Sequence, residues 1–320
     1  MIAYLGRRLL QAAVVLWAAY TLAFALLFLL PGDAVSLMLR GGAQEVFADA
    51  GQEQALRERW GFDEPPAVQY LAMLGRTLTG DLGTSLSSGR PVTEAIGQAL
   101  PATAWLAGAG LGLAVLLGGG VALAATWTRS PLLARVLGSL PPLGVAMPTF
   151  WVGLLLIQVV SFQWGLLPAL GDLTPAGLVL PALTLALPTA ALLAQVLGTG
   201  LAVELDRPYA ATARAKGASR TRVHLGHALR NAVIPALTLT GVLAGELLAG
   251  TIVVETVFSR PGVGRLTAAA VQTQDLPLLL GIVLFAAVVF VLANLLVDLL
   301  YPFLDPRVQL RPRARIGGTP

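Results

Sequence analysis

The chain has 320 residues, of which 56% are hydrophobic and only 12% are charged, and its formal net charge is +4. Soluble globular domains carry about 25% charged residues, so this composition excludes an ordinary soluble domain and indicates an integral membrane protein. Because the chain contains no cysteine, disulfides and thiolate metal sites are excluded as well.

An apolar run over residues 9–30 follows two arginines near the N-terminus. A secretory signal peptide is the competing interpretation. However, the hydrophobic part of such a signal covers only about 7–15 residues, whereas this run approaches the roughly 20 that span a bilayer. No small-residue cleavage pattern follows, and Pro31-Gly32-Asp33 ends the predicted helix. We therefore expect residues 1–30 to form the N-terminus and a retained first transmembrane helix.

Residues 31–98 form one sizeable hydrophilic region. Within it, residues 52–59 and 68–78 have the apolar spacing of short amphipathic helices. Four side chains give the region something to bury, namely those of Trp60, Phe62, Tyr70 and Leu74. We expect a small extracellular or periplasmic subdomain here rather than a disordered segment.

Residues 99–320 contain five further apolar segments, each about as long as a bilayer span. These segments cover residues 100–127, 137–162, 176–202, 233–258 and 276–301. Prolines interrupt two of them, at Pro141, Pro142, Pro148, Pro181 and Pro188. Prolines are tolerated in membrane helices when neighbouring helices satisfy the freed backbone groups. The sequence therefore predicts an all-α integral membrane protein with six transmembrane helices.

The distribution of Lys and Arg predicts the orientation. If the N-terminus is cytoplasmic, 14 of the 21 Lys and Arg residues face the cytoplasm. Five of the remaining seven lie in the long first loop, where the positive-inside rule counts least. We therefore expect both termini to be cytoplasmic, together with a polar loop over residues 204–232 and a short C-terminal tail.

This polar loop, with the residues up to Pro235, is the longest basic interval in the second half of the chain and predicts two short helices around a glycine. Four residues recur at the i, i+3, i+4 and i+7 spacing of one helical face: Tyr209, Thr212, Ala213 and Lys216. Gly217 can adopt the left-handed conformation that ends a helix, and Ser219 can cap the next one. Several alanines leave room for the close approach of another protein, so we interpret the loop as a docking module.

The alternative is an ordinary positive-inside loop that faces anionic lipid. Nucleic-acid binding is disfavoured, because both ends of the loop are tethered to spans.

The sequence contains no motif for nucleotide binding or catalysis. A P-loop requires Gly-Lys-Ser/Thr, but the one lysine, Lys216, is followed by Gly217. H-E-x-x-H and G-x-S-x-G are also absent. His224 and His227 are spaced like a metal pair, but no third ligand lies nearby in the sequence. We therefore interpret them as part of a solvated or docking helix face, and we predict neither an enzyme nor a metal site.

Polar side chains within the predicted spans are candidates for function. Four of them are candidates for lining a translocation path: Gln158, Gln195, Glu246 and Glu255. For Glu246, which lies near the middle of its span, a buried hydrogen bond between helices explains the sequence equally well. Asn294 and Asp298 lie close to the predicted membrane interface, which favours a structural role.

Several motifs together resemble the permease subunits of ABC importers. The polar loop reads Y-A-A-T-A-R-A-K-G followed by H-A-L-R-N-A-V-I-P, which is similar to the cytoplasmic coupling motif, or EAA loop, of these proteins. Further matching stretches are L-L-P-G-D, G-D-L-G-T-S-L, M-P-T-F-W, V-V-E-T-V-F-S-R-P-G-V-G-R and N-L-L-V-D-L-L-Y. The likeness is to the dipeptide/oligopeptide/nickel permease family and covers nearly the whole chain. Within that family, the long first extracellular region of this chain is similar to that of the B-type permease subunit.

The resemblance implies a type I ABC importer permease fold with cytoplasmic coupling helices, in the bacterial cytoplasmic (inner) membrane. The implied partners are a second homologous permease subunit that completes a heterodimer, two ATP-binding subunits and an extracytoplasmic substrate-binding protein. ATP and Mg²⁺ would bind the partner subunits, and this chain itself would bind no cofactor. The residues that would make or shape the ATPase contact are Tyr209, Thr212, Ala213, Arg214, Ala215, Lys216 and Gly217. The chain departs from the family at Arg207-Pro208, where an acidic residue often precedes the loop tyrosine.

The cargo implied by the resemblance is a dipeptide or oligopeptide. A nickel or metal–chelator complex is the alternative within the same family, and the spans do not separate the two because the binding protein largely sets specificity. A self-sufficient secondary transporter or channel is the competing class. It would need coupling residues within its own spans, where charged residues are scarce, and would function without ATPase partners.

Overall fold

The computed structural model of the chain describes residues 2–29, 64–171, 174–273 and 275–304. Within these ranges the regular structure is helical, apart from one isolated β-bridge between Thr84 and Pro91. The helices of the described part are α1 (Ile2–Leu29), α2 (Pro66–Leu78), α3 (Val92–Trp127), α4 (Pro131–Ala146), α5 (Thr149–Leu156), α6 (Pro175–Asp206), α7 (Pro208–Ala215), α8 (Leu229–Val257), α9 (Val263–Gln272) and α10 (Leu276–Leu304). Two π-helical segments extend them: Ile157–Gln163 continues α5, and Arg222–Ala228 leads into α8.

Three helices of the described part are long and apolar enough to cross a membrane, namely Val92–Trp127, Pro175–Asp206 and Arg222–Val257. Helix α1 contributes a shorter apolar stretch at Leu10–Ala25, and α10 contributes another at Leu276–Leu292. These two helices pack against each other. The observed order of apolar helices agrees with the predicted fold class, while the count of six spans stays a prediction.

The predicted third span over residues 137–162, which the sequence shows to be interrupted by prolines, is sharply bent. Helix α4 and the helix formed by α5 with its π-helical extension meet at a bend of 107°. Proline disfavours the helical conformation in the residue before it, and Met147, before Pro148, has an extended ψ of 125°. Pro141 and Pro142 lie inside α4 without ending it. The chain therefore breaks at one of the three prolines in this segment.

Helices also extend beyond the apolar segments that predicted them. Helix α6 continues to Asp206, and the helix that contains α8 begins at Arg222, so the connection between them is shorter than the predicted loop. The second short helix expected in this loop is not separate, since it forms the first turns of that long helix. Hydropathy marks the apolar part of a span, whereas backbone hydrogen bonds carry a helix on into polar sequence.

Helix α6 lies at the centre of the subunit and packs against α3, α4 and α8. Small residues allow the helices to approach closely. A Cβ atom on Gly118 of α3 would lie only 2.6 Å from the carbonyl oxygen of Ala190 in α6, and one on Gly144 of α4 would lie 2.8 Å from the Cβ of Ala191. Because apolar burial does not drive association within lipid, such close packing between small residues is a principal source of helix affinity.

Helix α2 confirms the amphipathic helix predicted over residues 68–78 and packs against α1. Tyr70 lies with its ring centroid 5.7 Å from that of Tyr20 and 5.3 Å from that of Phe24. Its hydroxyl group is 2.8 Å from the Thr21 hydroxyl. The other predicted helix, residues 52–59, and the aromatic residues Trp60 and Phe62 lie outside the described residues.

The turn that joins α2 to α3 is fastened to the start of α10 by Asp275. The carboxylate of Asp275 accepts hydrogen bonds from the hydroxyl groups of Ser85 at 2.6 Å and Ser87 at 2.9 Å, and from the Ser87 backbone N–H at 3.0 Å. It also accepts the backbone N–H of Leu278 in the first turn of α10. A single buried carboxylate therefore holds together segments nearly 190 residues apart.

Candidate functional site

Helix α7 forms because proline and glycine stand at the positions that suit them. Pro208 occupies the first turn, where its missing N–H costs no helical hydrogen bond. At the other end the N–H of Ala218 donates to Ala213 at 3.0 Å and that of Gly217 donates to Arg214 at 2.9 Å. Gly217 has a φ of +83°. These two bonds around a left-handed glycine form a Schellman motif, as predicted for Gly217.

The residues predicted to share one face of α7 lie together on the surface of the subunit. Tyr209, Thr212, Ala213 and Lys216 line one open cleft of about 500 Å³, together with Gly217. Its opposite wall includes Arg222 and His227, at the start of the long helix that contains α8. The structure thus brings together five of the seven residues predicted for the ATPase contact.

The two remaining residues of that set, Arg214 and Ala215, do not line the cleft. The guanidinium group of Arg214 turns back and donates to the carbonyl of Leu205 in the last turn of α6, at 3.0 Å. Ala215 is exposed at the end of α7. Arg214 therefore connects α7 to α6 and does not form part of the cleft wall.

Glu204, in the last turn of α6, organises the start of α7. Its carboxylate accepts a 2.6 Å hydrogen bond from the Tyr209 hydroxyl and lies 3.4 Å from Nε of Arg207. The amide of Asn231 donates to the same carboxylate at 3.4 Å. Burial raises the pKa of Tyr209, and the hydrogen bond to Glu204 raises it further, so the phenol stays protonated as a donor. An acidic partner for the loop tyrosine is therefore present, five residues upstream.

The start of the long helix that contains α8 is fastened to the end of α3. Arg220 donates to the carbonyl of Trp127 and places its guanidinium carbon 5.3 Å from the centroid of the Trp127 ring. His224 packs edge-on against the same ring at 5.2 Å, and its Nε2 lies 2.9 Å from the Thr126 hydroxyl. Together these contacts connect the polar loop to a second membrane helix.

The interpretation of both histidines as part of a solvated or docking face is wrong for His224 and agrees with the position of His227. His224 is buried with 1% of its surface exposed, whereas His227 is exposed and lines the cleft beside α7. Within the part of the chain that the structure describes, no three His, Asp or Glu side chains cluster in a way that could hold a metal ion.

The four candidates for a translocation path are in two kinds of environment. Gln158, Gln195 and Glu246 are exposed on the surface of apolar helices of this single subunit. Glu255 is fully buried. None of these four lines the cleft beside α7, and their assignment to a path stays a prediction.

Glu255 is the centre of a hydrogen-bond network at the end of the helices opposite α7. Its carboxylate accepts the Thr103 hydroxyl of α3 at 2.6 Å, the Gly264 N–H at 2.7 Å and the Arg265 N–H at 3.1 Å. A Cβ on Gly262 would overlap the carboxyl group, so the close approach requires glycine there. The network joins α3, α8 and α9.

The sequence pattern did not identify the hydrogen-bond partners of Glu204 and Glu255, which we call the two anchors. Glu204 and Asn231 are 27 residues apart, and Thr103 and Glu255 are 152 apart. The one local signal was the run R-P-G-V-G-R after Glu255, in which two closely spaced glycines permit a close approach of the backbone. Arg260 within it is buried and donates to the carbonyl of Gly177 at 3.0 Å.

Comparison with known proteins gives the family. A profile of the family described as "Binding-protein-dependent transport system inner membrane component" matches residues 110–310. The glutathione transport system permease protein GsiC of Salmonella choleraesuis (strain SC-B67) is 38% identical over 311 residues, which cover 97% of this chain and 100% of that protein. GsiC of Escherichia coli (strain K12) is 36% identical with the same coverage.

A solved structure shares the fold. The crystal structure of an amino acid ABC transporter with histidines superposes with a TM-score of 0.52 at 18% identity, over 68% of this chain and 95% of that one. The chain therefore belongs to the family of binding-protein-dependent inner-membrane transport components. It is a multi-pass inner-membrane permease subunit of an ABC importer.

Proposed function

We propose that this permease carries small peptides, and that α7 is the helix through which partner ATPases drive it. The peptide assignment is supported by the relatives named for glutathione, which is itself a tripeptide. The observation that carries the coupling assignment is the cleft beside α7, where the predicted face residues line one exposed surface. ATP and Mg²⁺ bind the partner subunits, since this sequence has no P-loop.

The proposed assembly has two permeases, this chain and a homologous partner, with two ATP-binding subunits and a substrate-binding protein outside the membrane. The chain itself has no catalytic role. Its membership of a binding-protein-dependent family supports the delivery step, and the basic cleft wall of Lys216 and Arg222 suits an acidic surface on the ATPase.

The contacts of the polar loop explain how a displacement of α7 would be transmitted to the membrane helices. Glu204 and Arg214 connect α7 to α6, and Arg220 and His224 connect the following segment to α3. The same segment continues directly into α8. A force on α7 is therefore applied to three packed helices together, and interfaces of this kind switch between discrete arrangements rather than deforming continuously.

Two alanines of α7 provide a matched test of this mechanism. Ala213 lines the cleft, whereas Ala211 is exposed on α7 and does not. In proteoliposomes that contain the complete importer and its binding protein, we expect Ala213→Glu to abolish ATP-driven peptide uptake and Ala211→Glu to retain most of it. Loss of uptake in both variants, or normal uptake in both, would contradict the assignment of the cleft as the ATPase contact.

The cargo is tested in the same vesicles. We expect ATP-dependent uptake of a labelled tripeptide and no uptake of labelled nickel or a nickel chelate. Uptake of nickel or the nickel chelate without uptake of the tripeptide would contradict the peptide assignment and support the metal alternative. Uptake by vesicles that contain only this chain, driven by an ion gradient without ATPase partners, would refute the importer mechanism altogether.

A further inference from the structure

A large open cavity lies at the end of the helices opposite α7. Its volume is about 1080 Å³. Its walls come from the first turns of α3, the N-terminus of α6 and the segment that joins α8 to α9. The orientation predicted from the count of Lys and Arg puts this end on the outer side of the membrane. We call this space the distal cavity.

The distal cavity has a basic lining. Arg90, Arg260 and Arg265 all line it, beside Gln98 and the 72%-exposed ring of Trp105. Among the residues that the structure describes, no Asp or Glu lines this cavity. The N-terminus of α6, where partial positive charge accumulates, also opens onto it.

The two exposed arginines keep their charge available to a ligand. Arg90 donates to the amide oxygen of Gln98 at 3.3 Å, and Arg265 donates to the carbonyl of Ser259 at 2.6 Å. Neither acceptor carries a formal charge. Two carboxylates lie nearby without lining the cavity. Glu94 accepts the side-chain amide of Gln98 at 2.9 Å, and the buried Glu255 is already bonded to Thr103 and to two backbone N–H groups. Guanidinium groups match carboxylates in shape and charge, and often bind them through two hydrogen bonds.

We propose that the distal cavity binds the carboxylate groups of an anionic peptide as the peptide enters the permease. This inference rests on the peptide function proposed above and adds to it a preference for acidic cargo. The lining of the site favours a small ligand over a protein surface, because ligand pockets combine apolar walls with a few polar groups, and its volume of about 1080 Å³ is close to the upper end of the roughly 300–1,000 Å³ typical of such pockets. Trp105 supplies the apolar wall, and the arginines supply the polar groups.

Because this chain contains no native cysteine, the labelling of one introduced thiol can be followed on this subunit. Ala269 is exposed and lines the cavity, so Ala269→Cys introduces a single reactive thiol there. In the complete importer reconstituted in nanodiscs, the rate at which this thiol reacts with a maleimide reports occupation of the cavity. The probe is S-methylglutathione, which carries two carboxylates and no thiol, and its diester serves as the comparison without those charges.

We expect S-methylglutathione to slow the labelling of Ala269→Cys and the diester to have little effect. Arg90→Gln or Arg265→Gln should raise the concentration for half-protection about tenfold, the expected effect of losing a hydrogen bond to a charged group. The corresponding Lys variants should lose less, since they keep the charge. Arg76→Gln, in an exposed arginine of α2 outside the cavity, should change nothing.

Three results would overturn the inference. The first is equal protection by the diester, and the second is unchanged protection in both Gln variants and both Lys variants. The third is protection by the binding protein without any peptide, which would make the cavity a protein-docking surface. Failure of the wild-type importer to take up any peptide would refute the proposed function separately, because that assay does not depend on the introduced cysteine.

Discussion

The left-handed turn at Gly217 gives the sharpest prediction about coupling. Its φ is +83°, and an added Cβ would meet no atom within 4 Å. The cost of a substitution is therefore conformational and not steric. A non-glycine residue in the left-handed region costs roughly 1–2 kcal/mol, with Asn tolerated best. Pro is worse, since it fixes φ near −65° and removes the N–H that donates to Arg214 at 2.9 Å.

We expect the series Gly217→Asn, Gly217→Val and Gly217→Pro to lose ATP-driven uptake in that order, with near-complete loss for Pro. Membrane insertion should stay close to wild type, because the turn is exposed and lies outside the buried clusters, so that its conformational cost falls on the local structure of the polar loop. Gly138→Ala is the matched control, since Gly138 lies within the helix α4 and an added Cβ there also meets no atom within 4 Å.

The assay compares three quantities for each variant of the complete importer: peptide uptake in proteoliposomes, stimulated ATP hydrolysis and co-purification of the ATP-binding subunit. Normal uptake by Gly217→Pro would refute the role of this turn in coupling. Equal loss in Gly217→Asn and Gly217→Pro would show that the glycine is needed for some reason other than its backbone conformation.

Two further predictions concern the anchors. Glu255→Ala leaves the Thr103 hydroxyl and two backbone N–H groups without their acceptor, so it should destabilise the subunit by about 3 kcal/mol or more; thermal unfolding in detergent should show no such loss for the exposed control Glu246→Ala. Tyr209→Phe removes the 2.6 Å hydrogen bond to Glu204 and should lower the peptide transported per ATP hydrolysed. A double-mutant cycle that combines Tyr209→Phe with Glu204→Ala and measures the free energy of unfolding should give a coupling energy of about 1 kcal/mol. Strict additivity of the two changes would count against this hydrogen bond.

The sequence determined the features that depend on local backbone chemistry. Gly217 ends α7 because only a residue without a side chain enters the left-handed region cheaply, and Pro208 begins it because the first turn needs no N–H from that position. The face of Tyr209, Thr212 and Ala213 follows from the helical period alone. Apolar length likewise located the membrane helices, although it ended α6 too early and began the helix that contains α8 too late, where each continues into polar sequence.

The tertiary structure alone decided which distant residues meet. Periodicity contains no information on whether Glu255 faces a path or another helix, and its contact with Thr103 depends on how α3 and α8 pack. The same holds for the distal cavity, whose arginines come from segments before α3 and after α8. Charge and period are properties of a segment, whereas burial and pairing are properties of the packed helices. For that reason helix α7 and its face could be predicted from the sequence, and the basic cavity at the opposite end could not.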